Sequence, residues 1–83
     1  MNTQRIVAAL INTDAGKLLV AVDQLGGQAR SDQAVEATGF TPNYVHKLTR
    51  RLSRYGLVML HQRSLAEHIA LTPLAREVAG QLQ

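Results

Sequence analysis

The side chains of this chain with the most chemical capacity are clustered. Between Ala37 and Ala66 there is no Asp or Glu, yet Lys47, Arg50, Arg51, Arg54 and Arg63 all fall there, five of the nine Lys and Arg residues. At 100° per residue, Val45, Leu48 and Leu52 gather on one side of a helix over 42–55, with Tyr55 near them. The opposite side holds Asn43, His46, Lys47, Arg50 and Arg54, and Tyr44 and Arg51 lie on a flank. Such a helix is about 10–12 Å across, and the roughly 12 Å major groove of duplex DNA admits it. Asn43 has the donor and acceptor to bind adenine bidentately, Lys47 can reach guanine O6 and N7, and His46 shares their end. Arg50, Arg51 and Arg54 suit phosphates. This division, base readers first and phosphate clamps later, is how recognition helices dock.

Other chemistries find little support. His46, His61 and His68 match no common zinc spacing, and Glu67 is the one acidic neighbour. Ser31, Ser53 and Ser64 have no His and acid at triad spacing, and Gly26-Gly27 is too poor in glycine for a phosphate loop. No catalytic residue, metal site or cofactor is expected, and the chain does not read as an enzyme. There is no Cys, which excludes disulfides, thiolate metal sites and Cys nucleophiles together. The 83 residues suffice for one domain with a modest core. The net charge is +3 and the pI near 10, a balance compatible with a nucleic-acid partner. No apolar run approaches the roughly 20 residues of a membrane span, and the start lacks a signal-peptide pattern. A cytoplasmic, nucleoid-associated protein without membrane contact is expected.

Ile6, Val7, Leu10 and Ile11 predict a helix over about 3–11, capped by Asn2 or Thr3. Leu18, Leu19, Val22 and Leu25 predict a second over about 14–25, closed by Gly26-Gly27. One continuous helix over 3–25, kinked near Gly16, is the competing reading. Gln28 to Arg30 reads as an extended connector, and Ser31 as the cap of a helix over Asp32–Thr38 that Gly39 breaks. Thr41-Pro42 starts the basic helix and Gly56 ends it. Leu57 to Leu60 and Glu67 to Leu71 read as hairpin strands around a turn at 62–66, and Thr72-Pro73 opens a last helix with Leu74, Val78 and Leu82 on its seam. The fold class is mainly α with a small β-hairpin.

This order resembles the winged helix-turn-helix family, especially regulators of the MarR and ArsR kinds. The resemblance is carried by Thr38-Gly39-Phe40-Thr41, by Val45-x-x-Leu48-x-x-x-Leu52, by Arg54-Tyr55-Gly56-Leu57-Val58 and by Leu71-Thr72-Pro73-Leu74-Ala75-Arg76. It covers Asp14 to Leu82 and implies a helix-turn-helix at about 31–55, a wing at about 57–71 and flanking terminal helices at about 3–11 and 73–82. The sequence departs from the family at three points. Ala34 precedes Val35 where the family places the large residue before the Ala. The wing turn has about four residues and no Gly. The flanks leave little room for the effector pocket of MarR-type proteins, so no small-molecule effector is expected.

The resulting expectation is sequence-specific binding of double-stranded DNA by a small transcriptional regulator, a repressor before an activator. Thr41, Asn43, Tyr44, His46, Lys47, Arg50, Arg51 and Arg54 would make contact from the helix, and Arg63 and Ser64 from the wing tip. A homodimer through the terminal helices is expected, with Ile6, Leu10, Ile11, Leu74, Val78 and Leu82 as its surface. The alternatives are a winged-helix protein-interaction module or a replication or partition accessory protein.

Overall fold

The structure, a computed structural model, describes residues 3–63 and 66–83, with the backbone alone at Arg63. The chain runs α1 (Thr3–Leu10), α2 (Asp14–Gln24), β1 (Gln28–Arg30), α3 (Ser31–Thr38), α4 (Pro42–Arg54), β2 (Val58–Arg63), β3 (Ala66–Leu71) and α5 (Pro73–Leu82).

The first two helices are separate. Asn12 takes φ 61, a left-handed conformation that ends any continuous helix. The Thr13 hydroxyl completes the corner by donating to the Leu10 carbonyl at 2.6 Å and accepting from the Gly16 N–H at 3.0 Å. Gly16 is required here by close approach: a Cβ on it would run into the Leu10 carbonyl oxygen. The sequence-based cap at Asn2 lies outside the described residues.

Gln28–Arg30, read from sequence as a connector, is a third strand. Gln28, Ala29 and Arg30 pair antiparallel with Ala70, Ile69 and His68, giving a sheet of order β1-β3-β2. Three residues are too few for alternation to be legible, and pairing with β3 supplies what the local pattern lacks. The wing strands also run further than expected, pairing from Val58↔Leu71 to Arg63↔Ala66. Gln62, Arg63 and Ala66 of the expected turn at 62–66 thus belong to the strands, and Ser64 and Leu65 lie outside the described residues.

The start of α3 is shifted by one residue. Ser31 is the first helical residue, and Arg30 occupies the cap position, its N–H donating to Gln33 Oε1 at 2.9 Å. The Ser31 hydroxyl instead donates to Glu67 Oε1 at 3.4 Å. The guanidinium of Arg30 lies 3.0 Å from Asp32 and holds that carboxyl below the usual range. α4 and α5 begin as their sequences predict. Thr41 accepts from the Tyr44 N–H and Thr72 from the Ala75 N–H, both at 3.2 Å, each followed by Pro.

The core lies where α2, α3, α4 and α5 converge on the inner face of the sheet. Leu18, Leu19, Val22, Ala34, Val45, Leu48, Leu52, Leu57, Ile69, Ala75 and Val78 are all buried in it. Ala34, with Val35 only half-buried, is the small residue that lets α3 come in close. Val78 is 0 % exposed, so it closes the core of the domain and does not belong to a dimer surface, correcting the sequence expectation. Ile6, Leu10, Leu74 and Leu82 are half-buried and Ile11 is exposed. α1 contributes no buried residue at all.

Two glycines on helices should respond oppositely to alanine. Gly80 on α5 has nothing within 4 Å of an added Cβ, so Gly80→Ala should stabilise by about 0.5–1 kcal/mol through helix propensity. Gly16→Ala should cost about 1–3 kcal/mol, since the added methyl must reopen the α1–α2 corner. Urea denaturation of both variants checks this, and stabilisation by both would rule out the tight corner.

Candidate nucleic-acid interface

The second helix of the helix-turn-helix is aimed by the turn that precedes it. Gly39 ends α3 at φ 76. The Thr38 hydroxyl donates to the Ala34 carbonyl at 2.7 Å and accepts from the Phe40 N–H at 3.2 Å, so one side chain closes both sides of the turn. Phe40 meets Tyr44 edge to face, with centroids 5.2 Å apart. The Tyr44 hydroxyl donates to Asp14 Oδ2 at 2.5 Å, fastening α4 to the first turn of α2.

Behind α4, Val45, Leu48, Thr49 and Leu52 are each at most 2 % exposed. Thr49 was not foreseen among the buried residues. Its hydroxyl donates to the His46 carbonyl at 2.9 Å, so it enters the core with its polar group satisfied. In front, Asn43, His46, Lys47, Arg50 and Arg54 are exposed together, with Thr41 at the helix start and Arg51 on the flank. Tyr44 is half-buried, its hydroxyl committed to Asp14. Tyr55, expected near the apolar side, is 66 % exposed, because α4 ends at Arg54 and Tyr55 is its C-cap. Arg63 ends β2, while its side chain and Ser64 lie outside the described residues, so the expected wing contacts have no described geometry.

The arginines and the lysine of this face have, among the described residues, no acidic partner within ion-pair distance. Among the described residues the ion pairs join Lys17 to Asp14, Arg30 to Asp32 and Arg76 to Asp23. None of these involves Lys47, Arg50, Arg51 or Arg54. The acid-free window of the sequence has one exception in space: Glu67 Oε1 lies 3.7 Å from His46 Nδ1. Glu67 stands one residue beyond that window. The signal that could have found it is its register on β3, two residues from buried Ile69 and on the same side of the sheet. His61 and His68 are direct cross-strand partners. No group of three His, Cys, Asp or Glu able to hold a metal occurs among the described residues.

A groove of about 990 Å³ runs along the flank of α4, walled by Arg5, Ile6, Leu10, Tyr44, Arg51 and Tyr55. It exists because α1 rests on α5 and α2 and stands off α4. The expectation that the flanks leave little room is thereby corrected. Among the described residues no helix is long and apolar enough to cross a membrane.

No protein-family model matches the sequence, and no curated protein matches it significantly. Solved structures do match. The organohalide-sensing transcriptional regulator RdhR, in its 2,4-dichlorophenol-bound form, superposes with TM-score 0.78 at 19% identity, over 96% of this chain and 50% of that one. MepR, which regulates the multidrug efflux pump MepA of Staphylococcus aureus, gives 0.77 at 18%, over 95% and 60%. BpsR of Bordetella bronchiseptica, whose DNA binding is regulated by 6-hydroxynicotinic acid, gives 0.72 at 23%, over 95% and 63%. The chain thus has the winged helix-turn-helix fold of these three regulators and spans about half to under two thirds of their length.

The Tyr44–Asp14 bond has a titratable signature. The Asp14 carboxylate accepting its hydrogen bond, helped by burial, raises the Tyr44 phenol above its ordinary 10.0. A raised value means the bond's contribution is complete below pH 10 and is lost as pH rises through the folded-state value. NMR titration of the ring carbons should show Tyr44 ionising later in the wild type than in Asp14→Asn. Coincident titrations would mean the bond does not persist in solution.

Proposed function

We propose that this domain binds double-stranded DNA sequence-specifically as a small transcriptional regulator, laying α4 in the major groove. The observation that carries the reading is the division of α4: its back is sealed in the core, and its front presents Asn43, His46, Lys47, Arg50 and Arg54 with, among the described residues, no acidic partner for the arginines and lysine. Asn43, His46 and Lys47 are the base-reading end, beside Thr41. Arg50, Arg51 and Arg54 are the phosphate-clamping end, with Tyr44 as a backing residue and Arg63 and Ser64 contributing from the wing. Repression is favoured over activation, since a bound domain occludes its site without needing a polymerase-contacting surface. One such helix touches few bases, so useful specificity calls for a homodimer. Half-sites about 34 Å apart would then be read by two copies. Ile6, Leu10, Ile11, Leu74 and Leu82 on the terminal helices supply the apolar surface for it.

The groove behind α4 favours a second, compatible reading in which a small aromatic molecule regulates binding. RdhR is described with 2,4-dichlorophenol and BpsR with 6-hydroxynicotinic acid, both hydroxylated aromatics. The groove of this chain offers two tyrosine rings, aliphatic walls and the Arg5 and Arg51 guanidinium groups, a lining suited to an aromatic ring with an acidic oxygen. Tyr44, Leu48, Arg51 and Tyr55 belong to α4 or its cap, so an occupant would bear directly on the recognition helix.

The DNA reading is tested by titrating duplex at two salt concentrations, where each phosphate neutralised should contribute about −0.9 to the log–log slope. Asn43→Ala or Lys47→Ala should lose about 1–3 kcal/mol of discrimination between sites, whereas Arg50→Ala or Arg54→Ala should weaken binding to all duplexes and flatten the slope. A slope near zero in the wild type would sink the reading. For the groove, 2,4-dichlorophenol or 6-hydroxynicotinic acid should raise the thermal midpoint of the wild type. Ala9→Trp, at another residue lining the groove, should abolish that shift while the variant remains folded. Equal shifts in both proteins would place the ligand elsewhere.

A further inference from the structure

His46 stands where α4 meets the sheet, and its ring makes two contacts, one of which only the neutral imidazole allows. Its Nε2 accepts a hydrogen bond from Arg50 Nε at 3.0 Å, which needs the free lone pair of a neutral imidazole. Its Nδ1 lies 3.7 Å from Glu67 Oε1, too far for a hydrogen bond but within reach of an ion pair. Glu67 is held ready. Its side chain is 20% exposed and accepts from the Ser31 hydroxyl at 3.4 Å. Among the described residues, the charged groups set against the ring are thus Arg50 from its own helix and Glu67 from β3. From α3 the Ser31 hydroxyl reaches the same carboxylate. On α2, Asp14 is engaged by Tyr44 and Lys17. On β2, His61 points to the outer side of the sheet, in the same alternation as exposed Met59.

A proton on Nε2 removes the acceptor that Arg50 uses and sets an imidazolium against a guanidinium. Arg50 must then leave, and the ring is drawn to the Glu67 carboxylate. We propose that His46 is a proton-operated switch on the recognition helix: neutral, it ties Arg50 down along the helix surface, and protonated, it pairs with Glu67 and hands Arg50 to a DNA phosphate. Glu67 acts through His46 and is a positioning residue. The handover rests on the DNA-binding reading, whereas the exchange of contacts is a property of the free protein. Binding should accordingly tighten and become more salt-sensitive as acidification puts a proton on the His46 ring.

The free protein is examined first. Imidazole nitrogen shifts should show the Nδ1–H tautomer at high pH, and the Arg50 Nε–H resonance should be protected there and lost on acidification. Glu67→Gln should remove the ion-pair partner of the protonated ring and leave the loss of the Arg50 signal in place. A neutral ring carrying its proton on Nε2, or an Arg50 signal indifferent to pH, would overturn the switch. Duplex titrations at about pH 5.5 and about pH 8, either side of the ordinary histidine range, should then differ in salt slope by about 0.9 for the one phosphate gained. The difference should vanish in His46→Gln and also in Arg50→Ala. If it persists in Arg50→Ala, His46 is simply adding its own charge and the handover is wrong. Equal slopes at both pH values with good binding would overturn the handover and leave the DNA reading standing. Contact exchange in the free protein with no duplex binding at either pH would uphold the switch and sink the DNA reading.

Discussion

The burial of Val45, Leu48, Thr49 and Leu52 along one side of α4 is the interaction on which the remaining structure depends, because the other side works against helix formation. Lys47 and Arg51, and Arg50 and Arg54, are like charges at i, i+4. Lys47 and Arg50, and Arg51 and Arg54, are like charges at i, i+3. Each such pair destabilises an isolated helix by about 0.2–0.5 kcal/mol, so the four together cost about 1–2 kcal/mol. Each buried apolar side chain contributes about 1.5–3 kcal/mol, and three of them outweigh that cost with margin left. The helix can therefore concentrate positive charge on its front only because its back is sealed. Thirteen residues would be marginal as a helix alone.

The other elements serve that seal. α2 supplies Leu18, Leu19 and Val22 to the core, and Asp14 at its first turn takes the Tyr44 hydroxyl. The exit from α4 is fixed just as firmly. The Thr72 hydroxyl donates to the Gly56 carbonyl at 3.0 Å and the Thr72 N–H to the Leu57 carbonyl at 3.1 Å. The residue that caps α5 therefore also pins the point where α4 passes into β2. Arg76 adds a tie on the far side, through Asp23 at 3.1 Å and the Gly26 carbonyl at 3.1 Å.

What could be read from sequence was what local chemistry decides. Thr41-Pro42 and Thr72-Pro73 mark their helix starts because a threonine cap and a first-turn proline need no tertiary partner. The polarity of α4 was legible from its 100° spacing for the same reason. What escaped was decided by contacts between residues distant in sequence. β1 is a strand because β3 lies beside it, Ser31 is drawn off its expected capping role by Glu67, and Glu67 itself reaches His46 only through the sheet register. Val78 sits on the same helical seam as Leu74 and Leu82, and only the packing of α5 on α2 makes it core while its neighbours stay half-exposed. The groove is an absence of packing between α1 and α4, which no residue pattern announces.

α1 ties the domain together least. It buries no residue completely, and it joins α2 through a single left-handed residue, Asn12. Segments held by so few buried contacts open at a fraction of the free energy of global unfolding. One wall of the groove is thus compliant while the opposite wall, α4, is rigid. The aperture can change while the back of α4 stays sealed in the core, and substitutions at Arg5, Ile6 or Ala9, which line it, can remodel what fits there at little risk to the fold. The domain separates the part of its surface that is free to drift from the part that is not.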